Sequence, residues 1–69
     1  MDFLVTHRAR PWFAVEVELA ETRVNPAIVY FRDRLSIPWV YQVTLEGDKD
    51  FIEDGVCVLP ADVFISALA

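Results

Sequence analysis

The stretch Trp12-Phe-Ala-Val-Glu-Val-Glu-Leu19 decides the fold, because apolar and polar side chains alternate along it. A period of two residues is typical of a β-strand that buries one of its faces. One face of this strand carries Phe13, Val15, Val17 and Leu19. The other face carries Trp12, Ala14, Glu16 and Glu18. The pattern predicts a strand with an apolar side against the core and two carboxylates on the opposite side.

A partner strand is predicted at residues 3–6, where the side chains are aromatic, aliphatic or β-branched. Residues 7–11 between the two strands then form a five-residue hairpin loop. The register set by this loop pairs Thr6 with Trp12, Leu4 with Ala14, and Asp2 with Glu16.

The rest of the chain alternates between helix and strand signals. Asn25-Pro26 is a typical helix start, with Asn as the N-cap and Pro in the first turn. Strands are predicted at residues 39–45 and 56–59, separated by an acidic loop at residues 46–55, and a second helix follows at residues 61–68. The expected order is β-β-α-β-β-α. This order predicts an α/β (α+β) domain with helices packed on a mixed sheet.

The composition limits the classes of protein that the chain can belong to. Sixty-nine residues suffice for one small domain, and 55% of them are hydrophobic, which excludes intrinsic disorder. A single cysteine, Cys57, excludes an internal disulfide framework and a cysteine-based zinc site. A mean hydropathy of +0.34 is high for so small a domain. We therefore expect another surface to cover part of it.

The charge is unevenly distributed along the chain. Residues 1–35 are neutral, and residues 36–69 carry the whole net charge of −5. An acidic chain disfavours nonspecific binding to nucleic acid, which depends on clustered Lys and Arg. The N-terminus has no apolar segment typical of a signal peptide, and no apolar run approaches the length of about 20 residues that spans a membrane. A cytoplasmic location is therefore expected.

Three carboxylates are the candidate functional residues. In the predicted register, Asp2, Glu16 and Glu18 share one face at the open end of the hairpin. Directly opposed side chains in a sheet have Cβ atoms about 4.5–5.5 Å apart, and like charges at that distance need a counter-charge. A divalent cation such as Mg²⁺ would supply it. The alternative is that these are solvated residues of an exposed strand, and a register slip of one residue would move Asp2 to the other face.

Asp2-Phe-Leu-Val5 and Pro11-Trp-Phe-Ala-Val-Glu-Val-Glu-Leu19 resemble a domain of unknown function at the C-terminal end of prokaryotic AAA-family ATP-binding proteins. That domain is similar to nucleases of the PD-(D/E)XK fold. The resemblance continues through Asn25-Pro-Ala27, Tyr30-Phe-Arg-Asp-Arg-Leu35, Ile37-Pro-Trp-Val-Tyr-Gln-Val43, Asp54-Gly-Val56, Val58-Leu-Pro-Ala61 and residues 64–68. It covers nearly the whole chain.

The resemblance implies roles for the three carboxylates. Asp2 matches the metal-binding Asp of the motif and Glu16 its (D/E) residue, and the two would hold a metal that activates water for phosphodiester cleavage. Glu18 stands where the motif has Lys, which stabilises developing negative charge. This departure implies a weakened or lost activity and leaves open whether the chain is an enzyme.

The resemblance also implies that residues 1–69 are a partial, truncated domain with a restriction-endonuclease-like core. The family's domain begins further upstream, with a helix and a strand, and the ATPase module with its phosphate-binding loop has no counterpart here. No ATP site is therefore expected in these residues. The expected partners are a second copy of the chain or an upstream domain, and nucleic acid is a weaker candidate.

Two functions stay open on this basis. The chain is either the C-terminal fragment of a nuclease-like domain, without activity alone, or a non-catalytic module for protein interaction or dimerisation. The first rests on the two motif carboxylates, and the second on Glu18 and on the apolar excess.

Overall fold

A computed structural model of the chain describes residues 1–20 and 23–68. The mixed α+β class and the β-β-α-β-β-α order are confirmed, with one additional short strand inside the predicted acidic loop. The elements are β1 (Phe3–His7), β2 (Arg10–Glu18), α1 (Pro26–Leu35), β3 (Trp39–Thr44), β4 (Phe51–Glu53), β5 (Val56–Pro60) and α2 (Ala61–Leu68).

The five strands form one mixed sheet in the order β1-β2-β3-β5-β4. The strands β2, β3 and β5 run parallel to one another at its centre. The two outer strands, β1 and β4, are each antiparallel to their neighbour. Helix α1 makes the crossover from β2 to β3, as parallel neighbours require.

The first hairpin differs from the prediction at its turn. Arg8 and Ala9 have φ angles of 52° and 66° and join the strands as a two-residue turn, so the five-residue loop is wrong. Two left-handed residues give the turn the twist of the flanking strands. The expected pairing of Leu4 with Ala14 is confirmed.

A bulge shifts the register between that pair and the turn. The predicted partner of Thr6 was Trp12, but Thr6 pairs with Pro11. Trp12 is the extra residue of the bulged strand. In the other direction the ladder ends at the pair of Phe3 with Val15.

The hydrophobic core lies between α1 and one face of the sheet. It consists of small and branched side chains, and α1 contacts the strands β2 and β3 above them. Its buried members are Ala14, Val24, Ile28, Ile37, Val40, Val56 and Val58. Helix α2 packs on the opposite face, over β3 and β5. Neither of the two described helices is long and apolar enough to cross a membrane.

Candidate functional site

Glu16 and Glu18 lie on the face of β2 that also carries the core residue Ala14. The parallel register places Glu16 beside Gln42 of β3 and Glu18 beside Thr44. Gln42 and Thr44 are fully buried, whereas both glutamates are half-buried. The carboxylates therefore stand at the margin of the core, where β2 passes from under α1 toward solvent.

Asp2 lies beside β2, just before β1 begins. Its Oδ2 accepts a hydrogen bond from the backbone N–H of Val17 at 2.7 Å. Its own backbone N–H donates to the carbonyl oxygen of Val15 at 3.1 Å. The Asp2 carboxylate thus binds the backbone of the strand that carries the other two candidates.

Glu16 has a cation beside it. The Met1 amino group lies 2.9 Å from Glu16 Oε2, and both side chains are 15% exposed. A half-buried carboxylate needs a compensating positive charge. The amino group supplies that charge to Glu16 in this structure.

Glu18, the last residue of β2, lines a cleft of about 680 Å³ near the start of α1 and the end of β4. The remaining lining residues are Arg23, Val24, Asn25, Pro26, Glu53 and Asp54. Arg23 Nη2 lies 3.2 Å from Glu53 Oε2, and Glu53 Oε1 accepts a hydrogen bond from the Val24 backbone N–H at 2.9 Å. Asp2 and Glu16 do not line this cleft, so Glu18 has a set of neighbours different from theirs.

The arrangement of metal-ligating side chains is sparse. Within residues 1–20 and 23–68, no group of three or more His, Cys, Asp or Glu side chains lies close enough together to hold a metal ion. Asp2 and Glu16 both stand at the open end of the β1–β2 hairpin and could offer two carboxylates. Mg²⁺ is commonly held by one or two carboxylates together with water and phosphate oxygens. The metal site therefore stays a hypothesis that rests on these two residues.

Gln42 is a buried polar residue that the sequence reading did not single out. Its Oε1 accepts a hydrogen bond from the Asn25 N–H at 3.1 Å, and its Nε2 donates to the Arg23 carbonyl at 3.5 Å. It is 0% exposed. The signal in the sequence is a single amide within the apolar strand Trp39–Thr44. Gln42 fixes residues 23–25, which lead into α1 and form one side of the Glu18 cleft.

A second surface lies on the opposite face of the sheet. It is an apolar groove of about 380 Å³ between β1 and α2, and we refer to it as the apolar groove. Its lining residues are Phe3, Val5, Phe13, Val15, Val17, Val43, Leu45, Ala61, Phe64, Ile65 and Leu68. Phe3, Ile65 and Leu68 are 60%, 64% and 61% exposed. Exposed apolar side chains scattered singly are normal, but a contiguous patch marks an interaction site.

The groove exists because α2 covers only part of this face. Helix α2 has eight residues and packs over β3 and β5, which leaves β1 and β2 uncovered. Val15 and Val43 are buried at the floor of the groove.

A continuous row of aromatic rings crosses the same face. Successive ring centroids lie 6.0, 5.2, 5.8 and 5.2 Å apart along the series His7, Trp12, Phe13, Tyr41 and Phe64. The bulge brings Trp12 beside Phe13, although regular alternation predicts that they lie on opposite faces. Trp12 is 51% exposed and Trp39 is 59% exposed, so neither ring is buried in the core.

Comparisons with protein-family models, with curated proteins and with solved structures find no match to this chain.

Proposed function

We propose that this chain is a non-catalytic packing module with a nuclease-like fold, of the kind associated with AAA-family ATP-binding proteins. Its function is to bind a helix of a protein partner in the apolar groove. The observation that carries the proposal is that eleven apolar side chains line the groove without a polar one among them. Such a lining excludes catalysis within the groove and favours the burial of apolar surface.

The dimensions of the sheet indicate what the groove accepts. Neighbouring strands are about 4.8 Å apart, and a helix with its side chains is about 10 Å wide, so one helix covers two strands. Helix α2 covers β3 and β5. The space over β1 and β2 therefore accommodates one further helix beside α2. A partner helix with an apolar stripe would complete the layer on this face.

The surroundings of the three carboxylates also support a non-catalytic role. One oxygen of the Asp2 carboxylate accepts a hydrogen bond from the backbone N–H of Val17. Glu18 brings a negative charge to the position where the resembling family has Lys. Cleavage of a phosphodiester needs positive charge near the developing negative charge, and Glu18 opposes it.

The proposal is tested by weakening the groove without touching the core. Ile65→Asp places a charge in the groove at a side chain that is 64% exposed, so the fold is retained. Ile52→Asp is the matched control, because Ile52 is 73% exposed and lies outside the groove. The probes are 8-anilinonaphthalene-1-sulfonate and a synthetic amphipathic helix of Leu and Lys.

We expect both probes to bind the unmodified protein and the Ile52→Asp variant with equal affinity. A charge in an apolar contact costs at least about 1.4 kcal/mol, which lowers the affinity of Ile65→Asp about tenfold or more. Equal binding by all three proteins would contradict the proposal.

A second candidate function, a metal-dependent nuclease-like site, is favoured by the position of Asp2 and Glu16 at one end of the first hairpin. Mg²⁺ and Mn²⁺ titrations followed by NMR of the side-chain carboxylates test it, together with a DNA-cleavage assay. Asp2→Asn combined with Glu16→Gln removes the site, and Asp48→Asn is the control. Metal-dependent shifts confined to Asp2 and Glu16 would support this candidate, and their absence would oppose it.

The proposal places the protein in the cytoplasm, where a free thiol such as Cys57 stays reduced.

A further inference from the structure

The two edges of the sheet differ in how they are protected from pairing with another strand. At one edge, β4 has three residues, and Asp50 and Asp54 flank it directly. Short, charged edge strands resist the addition of a further strand. At the other edge, β1 has five residues, and those from Phe3 to Thr6 carry no charge and no proline.

The β1 edge is accessible. Within residues 1–20 and 23–68, β1 pairs with β2 alone. Phe3 is 60% exposed and Leu4 is 40% exposed. Every second residue of an edge strand directs its N–H and C=O away from the sheet. The outer side of β1 is therefore a template for another strand.

We infer that β1 pairs antiparallel with β1 of a second copy of the chain, with a two-fold axis at Val5. This register places all five residues of β1 in the new ladder. It also brings Arg8 of the second copy, a residue of the turn after β1, to the end of the ladder where Asp2 lies, so that opposite charges meet at both ends of the ladder. Exposed opposite charges that approach each other stabilise an interface modestly, and like charges destabilise it.

The other possible registers lose either the approach of Asp2 to Arg8 or the alignment of the two apolar faces. An axis at Leu4 places Asp2 opposite Thr6 of the second copy, and an axis at Thr6 places Arg8 opposite Leu4 of the second copy. A shift to an odd register inverts one sheet, because side chains alternate between the two faces. The register centred on Val5 brings Asp2 near Arg8 of the second copy and keeps the apolar faces of both sheets on the same side.

The inference rests on the proposed function and extends it, because Phe3 and Val5 of β1 also line the apolar groove. Pairing through β1 produces one continuous sheet of two copies. The two grooves then adjoin at the new seam, with the two α2 helices on the same side. The dimer thus offers its partner one apolar surface that is twice as wide across the strands.

Disulfide cross-linking tests the register. In a Cys57→Ser background, Val5→Cys places two thiols opposite each other at the axis, within the distance that a disulfide bridges. Phe3→Cys is the control, because its two thiols would lie about 13 Å apart along the strands. We expect a covalent dimer under mild oxidation for Val5→Cys and none for Phe3→Cys. Equal cross-linking of both variants, or of neither, would overturn the register.

Charge exchange tests the interface by a separate route. Asp2→Arg or Arg8→Asp alone opposes like charges, and we expect either to weaken the dimer at least about fivefold in sedimentation equilibrium, because the pair occurs twice. The double variant restores opposite charges and returns the affinity to within about twofold of the original. Arg10→Asp is the control, since Arg10 belongs to β2 and has no partner in this register. A double variant as weak as either single variant would contradict the pairing.

Failure of this inference is distinguishable from failure of the proposed function. The protein could stay monomeric at high concentration, bind the amphipathic helix and lose that binding on Ile65→Asp. This result would contradict the dimer and leave the groove function standing. A dimer with the expected cross-link that binds neither probe overturns the groove function alone.

Discussion

The side-chain oxygen of Gln42 accepts a hydrogen bond from the backbone N–H of Asn25 at 3.1 Å, across 17 residues of sequence. Gln42 lies at the centre of the middle strand and is fully buried. Asn25 is the N-cap of α1, and its Oδ1 accepts a hydrogen bond from the Ala27 N–H at 3.0 Å. The two residues therefore connect the interior of the sheet to the start of the helix that covers it.

Replacing Gln42 with Leu leaves the Asn25 N–H without its acceptor in a partly buried position. We expect the free energy of unfolding to fall by about 1–3 kcal/mol, because an unsatisfied buried donor loses its solvation without compensation. Urea unfolding at fixed protein concentration measures the change. Thr44→Val is the matched control on the same strand, where the hydroxyl makes a long 3.4 Å bond to the Leu59 carbonyl. A greater loss for Thr44→Val than for Gln42→Leu would refute this role of Gln42.

Asn25→Ala removes the side-chain acceptor that caps α1. The expected loss is about 1 kcal/mol, as is usual for an N-cap replaced by Ala. Asn25→Asp keeps an acceptor at the same position and should stay within about 0.5 kcal/mol of the original protein. Thermal unfolding followed by circular dichroism compares the two variants. Equal losses for Ala and Asp would show that the cap contributes nothing.

Much of the sheet could be predicted because the alternation that marks a strand is a local property. The apolar face of residues 12–19 could be predicted from this alternation, and the helix start at Asn25-Pro26 from an equally local capping pattern. The turn of the first hairpin was not, since Arg8-Ala9 lacks the Gly, Asn or Asp that favours positive φ. The bulge at Trp12 follows from that turn and from the pairing across the hairpin.

The candidate site was only partly predictable. Glu16 and Glu18 share a face by strand periodicity, but their separate neighbours come from distant segments. Gln42 could not be assigned a partner, because Asn25 reaches it only after α1 has folded onto the sheet. Strand β4 was hidden by the acidic residues on both sides of Phe51–Glu53. Its pairing with β5 offsets the low strand propensity of that stretch.

Ala9→Gly should stabilise the protein. Ala9 holds a φ of 66°, where a Cβ atom costs about 1 kcal/mol and glycine fits without strain. Glycine loses more backbone entropy on folding than alanine, which offsets part of this relief of strain. We therefore expect a net gain of about 0.5 kcal/mol in the free energy of unfolding. Ala27→Gly in the first turn of α1 is the control, and it should lose about 0.5–1 kcal/mol. A loss at position 9 of the same size would refute the left-handed turn.

Gly55→Ala tests the second hairpin turn, formed by Asp54 and Gly55 with φ angles of 52° and 76°. An added Cβ would lie 2.9 Å from Nη1 of Arg32, which donates to the Asp54 carbonyl. The flexible guanidinium can move aside, so backbone strain dominates, and we expect a loss of about 1–2 kcal/mol. Gly47→Ala is the control, because Gly47 has no positive φ. Urea unfolding of the two variants, compared at equal concentration, gives the difference.

Glu18→Lys restores the residue type that the resembling nuclease motif has at this position. The new ammonium group would lie in the cleft lined by Glu53 and Asp54, so we expect the free energy of unfolding to stay the same or to rise by up to about 1 kcal/mol. The proposed packing function predicts no Mg²⁺-dependent cleavage of plasmid DNA, and the hydrogen bond from the Val17 N–H to Asp2 Oδ2 agrees with that expectation. The control is Glu46→Lys, which makes the same charge change at an exposed loop residue outside the cleft. Cleavage by Glu18→Lys that Glu46→Lys does not reproduce would decide for the nuclease-like function, because a nonspecific gain in DNA affinity would occur in both variants.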